Sequence, residues 1–141
     1  MKKTLATIAS AFIMITSMSA FAIEKSSPLK HAASATAVSD YLQATTRGTT
    51  TQEDLFADSF AYSNTANGDS FDKKAYTDFL KAHQAIQFDC ETSYTILDET
   101  GKTCIAKATM KFDNFTRVDY ITLQQGGDGW KVSKVVTSYA K

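Results

Sequence analysis

The chain has 141 residues, with 15 basic against 15 acidic side chains, a formal net charge of zero and 43% hydrophobic residues. That length fits one domain, nine Phe and six Tyr are ample for a core, and a single Pro argues against disorder. Balanced charge leaves no basic footprint of the kind nucleic-acid binding requires, so no nucleic-acid partner is expected.

Met1-Lys2-Lys3 opens with positive charge, Leu5 to Ile15 is apolar, and Ser19-Ala20-Phe21-Ala22 places small residues at the −3 and −1 positions of a cleavage site. That order is the pattern of a secretory signal peptide. Thr7, Ser10, Thr16, Ser17 and Ser19 interrupt the stretch, and its apolar part is too short to cross ~30 Å of hydrocarbon. Residues 1–22 are therefore expected to be removed on export to the periplasm or beyond, with no membrane association after cleavage. No Cys follows the cleavage site, which argues against a lipid anchor. Loss of Lys2 and Lys3 leaves 13 basic and 15 acidic residues, a formal charge of −2. Residues 23–35, polar and containing Pro28, read as a spacer, and 36–141 as the domain.

Ala37, Val38, Tyr41, Leu42 and Thr45 recur at helical spacing within Ala32–Arg47, with Gly48 placed to end that helix. Thr50 and Glu53 have capping-box spacing for a short second helix through Asp54-Leu55-Phe56-Ala57. Phe60 and Tyr62 alternate with small residues as in a strand, and Asn67-Gly68 marks a turn. Asp72 is placed to cap a third helix, Lys73 to Ala82, with Ala75, Tyr76, Phe79 and Leu80 as its apolar stripe.

Beyond His83 the pattern changes to period two. Ala85–Asp98, Lys102–Asp113, Phe115–Gln125 and Trp130–Tyr139 are four strand-length runs separated by turn residues. Phe88, Cys90, Tyr94 and Ile96 share one face of the first run. Cys104, Ala106, Ala108, Met110 and Phe112 share one face of the next, as in a sheet with one buried side. A hairpin turning at Asp98–Gly101 sets Cys90 opposite about position 108 and Cys104 opposite about position 94. The two sulfurs are then offset by roughly 13 Å at strand rise, beyond the ~7 Å Cα separation a disulfide tolerates, so both are expected as core thiols. Three helices followed by a four-strand antiparallel meander define an α+β domain, with the helices against one face of a curved sheet.

In that order, Val38-x-x-Tyr41-Leu42, Leu55-Phe56-Ala57-Asp58-Ser59-Phe60, Asn67-Gly68 before Phe71-Asp72-Lys73, and Gly129-Trp130-Lys131-Val132-Ser133-Lys134-Val135 cover nearly the whole mature chain. With these residues it resembles the nuclear transport factor 2-like superfamily, and within it the exported SnoaL-like and lumazine-binding-like groups. The resemblance implies a cone: a bent sheet closed by helices, with a pocket at its open end. It also implies a choice among isomerases, dehydratases, cyclases and binding-only proteins, which fold alone does not decide. Dimerisation through the open sheet face is common in that superfamily, so a homodimer acting as an interaction module is one expectation.

The acids, tyrosines and paired histidines of the family enzymes do not carry over to matching positions here. His31 lies in the spacer and His83 at a helix end, where the helix dipole alone explains a histidine; as a general base His83 would need a partner. Arg117 and Asp119 share a face of their strand with Phe115, Ile121 and Leu123. Turned inward, Asp119 becomes a proton acceptor and Arg117 a bidentate ligand clamp. Turned outward, they form an exposed pair while Val118 and Tyr120 face the core. The outward arrangement is preferred, since the parity of this strand is ambiguous. Lys134 poses the same choice and is preferred solvated. Phe56, Phe60, Tyr62, Phe79, Tyr94, Met110, Tyr120 and Trp130 are candidate pocket walls, with Arg117 and Lys134 as polar groups. Two distant histidines and two inward cysteines do not make a metal site, and no cofactor is expected. The expected function is therefore an exported, non-catalytic binding domain for a small apolar or aromatic molecule. The alternative is an isomerase, dehydratase or cyclase using Asp119 or His83 as proton acceptor with Tyr62 or Tyr94 as donor.

Overall fold

The computed structural model describes residues 33–48, 53–84 and 86–140. The signal peptide, nearly all of the spacer with His31, and Thr50 of the expected capping box lie outside the described residues. Helix α1, Ser34–Thr46, buries Ala37, Val38, Tyr41, Leu42 and Thr45 along one stripe. It stops where the Arg47 N–H donates to the Gln43 carbonyl at 3.0 Å and Gly48 adopts φ 58°. A Cβ on Gly48 would stand 2.1 Å from the Gln84 carbonyl oxygen, so glycine is required both for the left-handed backbone and for the close approach.

The second expected helix is not formed. Glu53–Leu55 is a single 3-10 turn, and Phe56 already belongs to strand β1, Phe56–Asn64. Among the described residues there are thus two α-helices rather than three. Phe56 is fully buried and pairs with Val132. Burying that ring outweighs a helix too short to repay its own nucleation. After the turn at Asn67-Gly68 come strand β2, Ser70–Asp72, and helix α2, Lys73–Ala82, whose cap Asp72 accepts from the Ala75 N–H at 2.8 Å.

Strands β3 (Glu91–Thr100), β4 (Thr103–Lys111), β5 (Thr116–Gly126) and β6 (Gly129–Ala140) form the antiparallel meander. The sheet order is β2-β1-β6-β5-β4-β3, and β1 runs parallel to β6. The sheet is therefore mixed and six-stranded, not antiparallel throughout. Residues 86–90 form no strand, contrary to the period-two reading. The Phe88 N–H instead donates to the Thr46 carbonyl at 2.9 Å, tying this segment to the end of α1.

Two irregularities shift the expected registers. In the first hairpin, β3 continues to Thr100 and turns at Gly101-Lys102 rather than over Asp98–Gly101, which sets Glu99, not a residue near 94, opposite Cys104, and an irregularity at Leu97 shifts the register by one residue. Cys90 lies just outside β3, both cysteines are free, and burial pushes both thiols up. The other is a bulge in β6: Leu123 pairs with Val132 but Thr122 with Lys134, leaving Ser133 as the extra residue. Val132, Val135 and Thr137 consequently all face inward, while Lys134 is exposed. Helices α1 and α2 cover the inner face of the sheet, and the core lies between.

Candidate functional site

Cross-strand pairing lays Tyr94, Ala108, Asp119, Thr137 and Asn64 in one row across the inner face, with Met110, Arg117 and Tyr139 in the row beside it. Arg117 and Asp119 thus point inward, reversing the outward arrangement preferred from the sequence. Asp119 has no exposed surface and is met by four hydrogen bonds. Arg117 Nε donates to Oδ1 and Nη2 to Oδ2, each at 2.9 Å. Thr137 Oγ1 donates to Oδ1 at 2.7 Å and the Tyr41 hydroxyl to Oδ2 at 2.6 Å. Those four donors occupy the carboxylate's roughly four lone-pair sites.

The pair spans three elements. Tyr41 reaches down from α1, Thr137 across from β6, and the Tyr76 hydroxyl of α2 stands 3.3 Å from that of Tyr41. Burial raises the Tyr41 pKa well above the ordinary value, and the Asp119 charge raises it further; burial likewise raises Tyr76. Burial opposes the Arg117 charge, but the neighbouring Tyr41 and Asp119 more than offset this, and the guanidinium is held cationic. Among the described residues no acceptor meets Arg117 Nη1, while Nη2 also reaches Thr137 Oγ1 at 3.4 Å.

Arg117 lines a cavity of about 260 Å³ between α1, α2 and the sheet. Tyr62, Phe71, Tyr76 and Phe79 form its aromatic wall. Tyr62 stacks on Phe71 and on Tyr76 with ring centroids 5.6 and 4.9 Å apart, and Phe71 stacks on Phe79 at 6.0 Å. Asn64, Asn67, Asp69 and His83 add polar groups. Asn64 and Asn67 are committed to their own turn: the Asn64 oxygen accepts from Ala66 N–H and the Asn67 oxygen from Asp69 N–H, both at 2.9 Å. Nδ1 of His83 lies 2.7 Å from the Phe79 carbonyl oxygen, and its ring packs on Phe79 at 4.3 Å.

Of the residues singled out from sequence, Tyr62, Phe79, His83 and Arg117 line this cavity. Phe56 and Phe60 lie in a layer behind it, edge-on or tilted against Tyr76 at 5.6 and 5.1 Å. Met110 lines a neighbouring cavity on the other side of Arg117, Tyr94 faces a groove with Ser39 and Gln43, and Trp130 is buried away from all three. Tyr120 and Lys134 are not pocket groups: both are exposed on the outer face, Tyr120 by strand parity and Lys134 because of the bulge. The sequence reading missed Tyr41, Tyr76 and Thr137. A signal for the first two was available: a Tyr in the middle of a buried helical stripe must find a partner for its hydroxyl. Among the described residues, no three His, Cys, Asp or Glu gather as a metal site, and no helix is long and apolar enough to cross a membrane.

The family model described as Putative lumazine-binding matches residues 30–138, and the chain belongs to that family. Solved structures of the same fold include a nuclear transport factor 2-like protein from Silicibacter pomeroyi (14% identity, TM-score 0.59, 74% of this chain and 90% of that one). Another is from Cytophaga hutchinsonii (14%, 0.58, 74% and 93%). A third is a putative ketosteroid isomerase from Parabacteroides distasonis (11%, 0.54, 74% and 85%). At such identities the likeness establishes the nuclear transport factor 2-like fold and nothing finer. No curated protein sequence matches the chain.

Proposed function

We propose that the mature chain is an exported binding domain that holds a small, planar, largely apolar molecule in the Arg117 cavity without transforming it. The observation that carries this reading is Arg117 itself. A guanidinium clamped on two atoms by a fully buried carboxylate stands in the wall of an aromatic-lined cavity, with Nη1 left over from that clamp. Such a pre-oriented donor fixes a ligand's orientation at little entropic cost. Export rests on the leader pattern of residues 1–22.

The electrostatics select the ligand's polar group. Asp119 already neutralises Arg117, and Asp69 adds a second carboxylate at the cavity wall. A ligand carboxylate would leave two or three negative groups sharing one cation in a half-desolvated site, which is unfavourable. An uncharged carbonyl oxygen accepts from Nη1 without that penalty. Catalysis by Asp119 is not supported, because its lone-pair sites are filled and it does not border the cavity. An enzymatic alternative would rest on His83, which does border it.

Titration calorimetry with 2-acetylnaphthalene, 2-naphthoate and lumazine tests the reading. The uncharged ketone and dione should bind at least tenfold tighter than the carboxylate, and His83→Ala should leave their affinities within about twofold with no product formed. Equal or tighter binding of naphthoate would overturn the electrostatic argument; turnover abolished by His83→Ala would establish the enzyme. The outer sheet face exposes Leu97, Ile105 and Tyr120, the surface on which a homodimer would form.

A further inference from the structure

Arg117 stands in the wall shared by two cavities. The second, of about 360 Å³, is an open apolar hollow lined by Met110, Phe112 and Phe115 together with Thr46. Thr45, Phe88, Arg117 and Tyr139 line both, so the two spaces share a wall. Resting on the binding reading above, we propose that the natural ligand is a two-part, uncharged amphiphile. Its ring lies in the first cavity, its carbonyl on Arg117 Nη1, and a hydrocarbon chain extends into the second.

Two independent features of the second cavity support a hydrocarbon occupant. Its aromatic rim is joined edge to edge: Phe88 meets Phe112 at 6.2 Å, Phe112 stacks on Phe115 at 4.6 Å, and Phe115 meets Tyr139 at 5.8 Å. Yet Phe88, Phe115 and Tyr139 remain 44%, 42% and 43% exposed, which is costly for rings already brought together unless something apolar covers them. The second feature is position. The rim is built at one end of the sheet by the β4–β5 turn, where Phe112 N–H donates to the Phe115 carbonyl at 2.9 Å, and by the segment pinned to α1 through Phe88. It is thus fixed by backbone hydrogen bonds beside Arg117, which lines both cavities. Among the described residues, Arg117 is the one cation bordering the second cavity, and Asp119 has already balanced it. A charged head is therefore not matched here either.

The test compares 2-acetylnaphthalene with 2-octanoylnaphthalene, which differ only in the chain beyond the carbonyl, on the parent protein and on Phe115→Ser. Phe115 borders the second cavity and not the first. The longer ketone should bind the parent at least tenfold tighter than the shorter one. Phe115→Ser should remove most of that gain while leaving the short ketone within about twofold. Equal affinity of the two ketones for the parent, or equal loss of both in Phe115→Ser, would overturn the two-part ligand while the head-binding reading stands. If neither ketone binds, both fall. Binding of the parent to phosphatidylcholine vesicles, lost in Phe115→Ser, with no gain from the chain would reassign the rim to a lipid surface and also overturn the proposal.

Discussion

Asp119 and Arg117 are costly residues to bury, and what keeps the carboxylate buried is that both its oxygens are fully answered. The carboxylate receives Arg117 on both oxygens, Thr137 on one and Tyr41 on the other. The two tyrosines of this cluster carry a pH signature. Burial holds the folded-state pKa of Tyr41 and of Tyr76 above the ordinary value of about 10. Above that pH the unfolded chain loses protons that the folded one retains, so their contribution to stability is complete below pH ~10 and is lost as pH rises past it. The slope is about 1.4 kcal/mol per pH unit for each tyrosine. Urea unfolding between pH 9 and 11.5 should therefore fall more steeply for the parent than for Tyr41→Phe/Tyr76→Phe. Parallel curves would mean that the hydroxyls are not buried as described.

At the scale of elements, the legible parts are those fixed by short-range chemistry. The cap at Asp72 and the stripe of Tyr76 and Leu80 give α2 its bounds, and period-two alternation gives β4 its buried row of Cys104, Ala106, Ala108 and Met110. What was not legible depends on partners distant in sequence. The orientation of Asp119 is settled by Tyr41, 78 residues away, and β5 bears apolar side chains on both faces, so parity alone does not choose. The single extra residue at Ser133 displaces Lys134 to the outside, and bulges carry no local sequence mark here. The second helix failed for a similar reason, since Phe56 gains more by pairing with Val132 than by capping chemistry at Glu53. The end of α1 is the reverse case. Gly48 was placed there from sequence, and the 2.1 Å approach to Gln84 explains its necessity. Gly48→Ala should cost more than ~1 kcal/mol in urea unfolding, from left-handed strain plus the displaced Gln84 backbone. A neutral substitution would contradict the docking of the α2 exit against the end of α1.

For the whole molecule, the inner sheet face and two helices enclose a core at one end and adjoining cavities at the other, with the Arg117–Asp119 pair at the divide. Folding does not require such a pair. Replacing a buried ion pair by apolar groups of similar volume is often neutral or stabilising, whereas removing one partner costs about 3–5 kcal/mol. A binding role explains why a charged pair stands where Met and Leu would pack. The decisive measurement is thermal unfolding with and without 2-acetylnaphthalene for the parent, Asp119→Ala and Arg117→Met/Asp119→Leu. Asp119→Ala should melt well below the parent. The double variant should melt above Asp119→Ala yet show no ligand-induced rise, while the parent rises by several degrees. A double variant that folds and is stabilised by the ketone as strongly as the parent would contradict the assignment of Arg117 as the ligand's anchor.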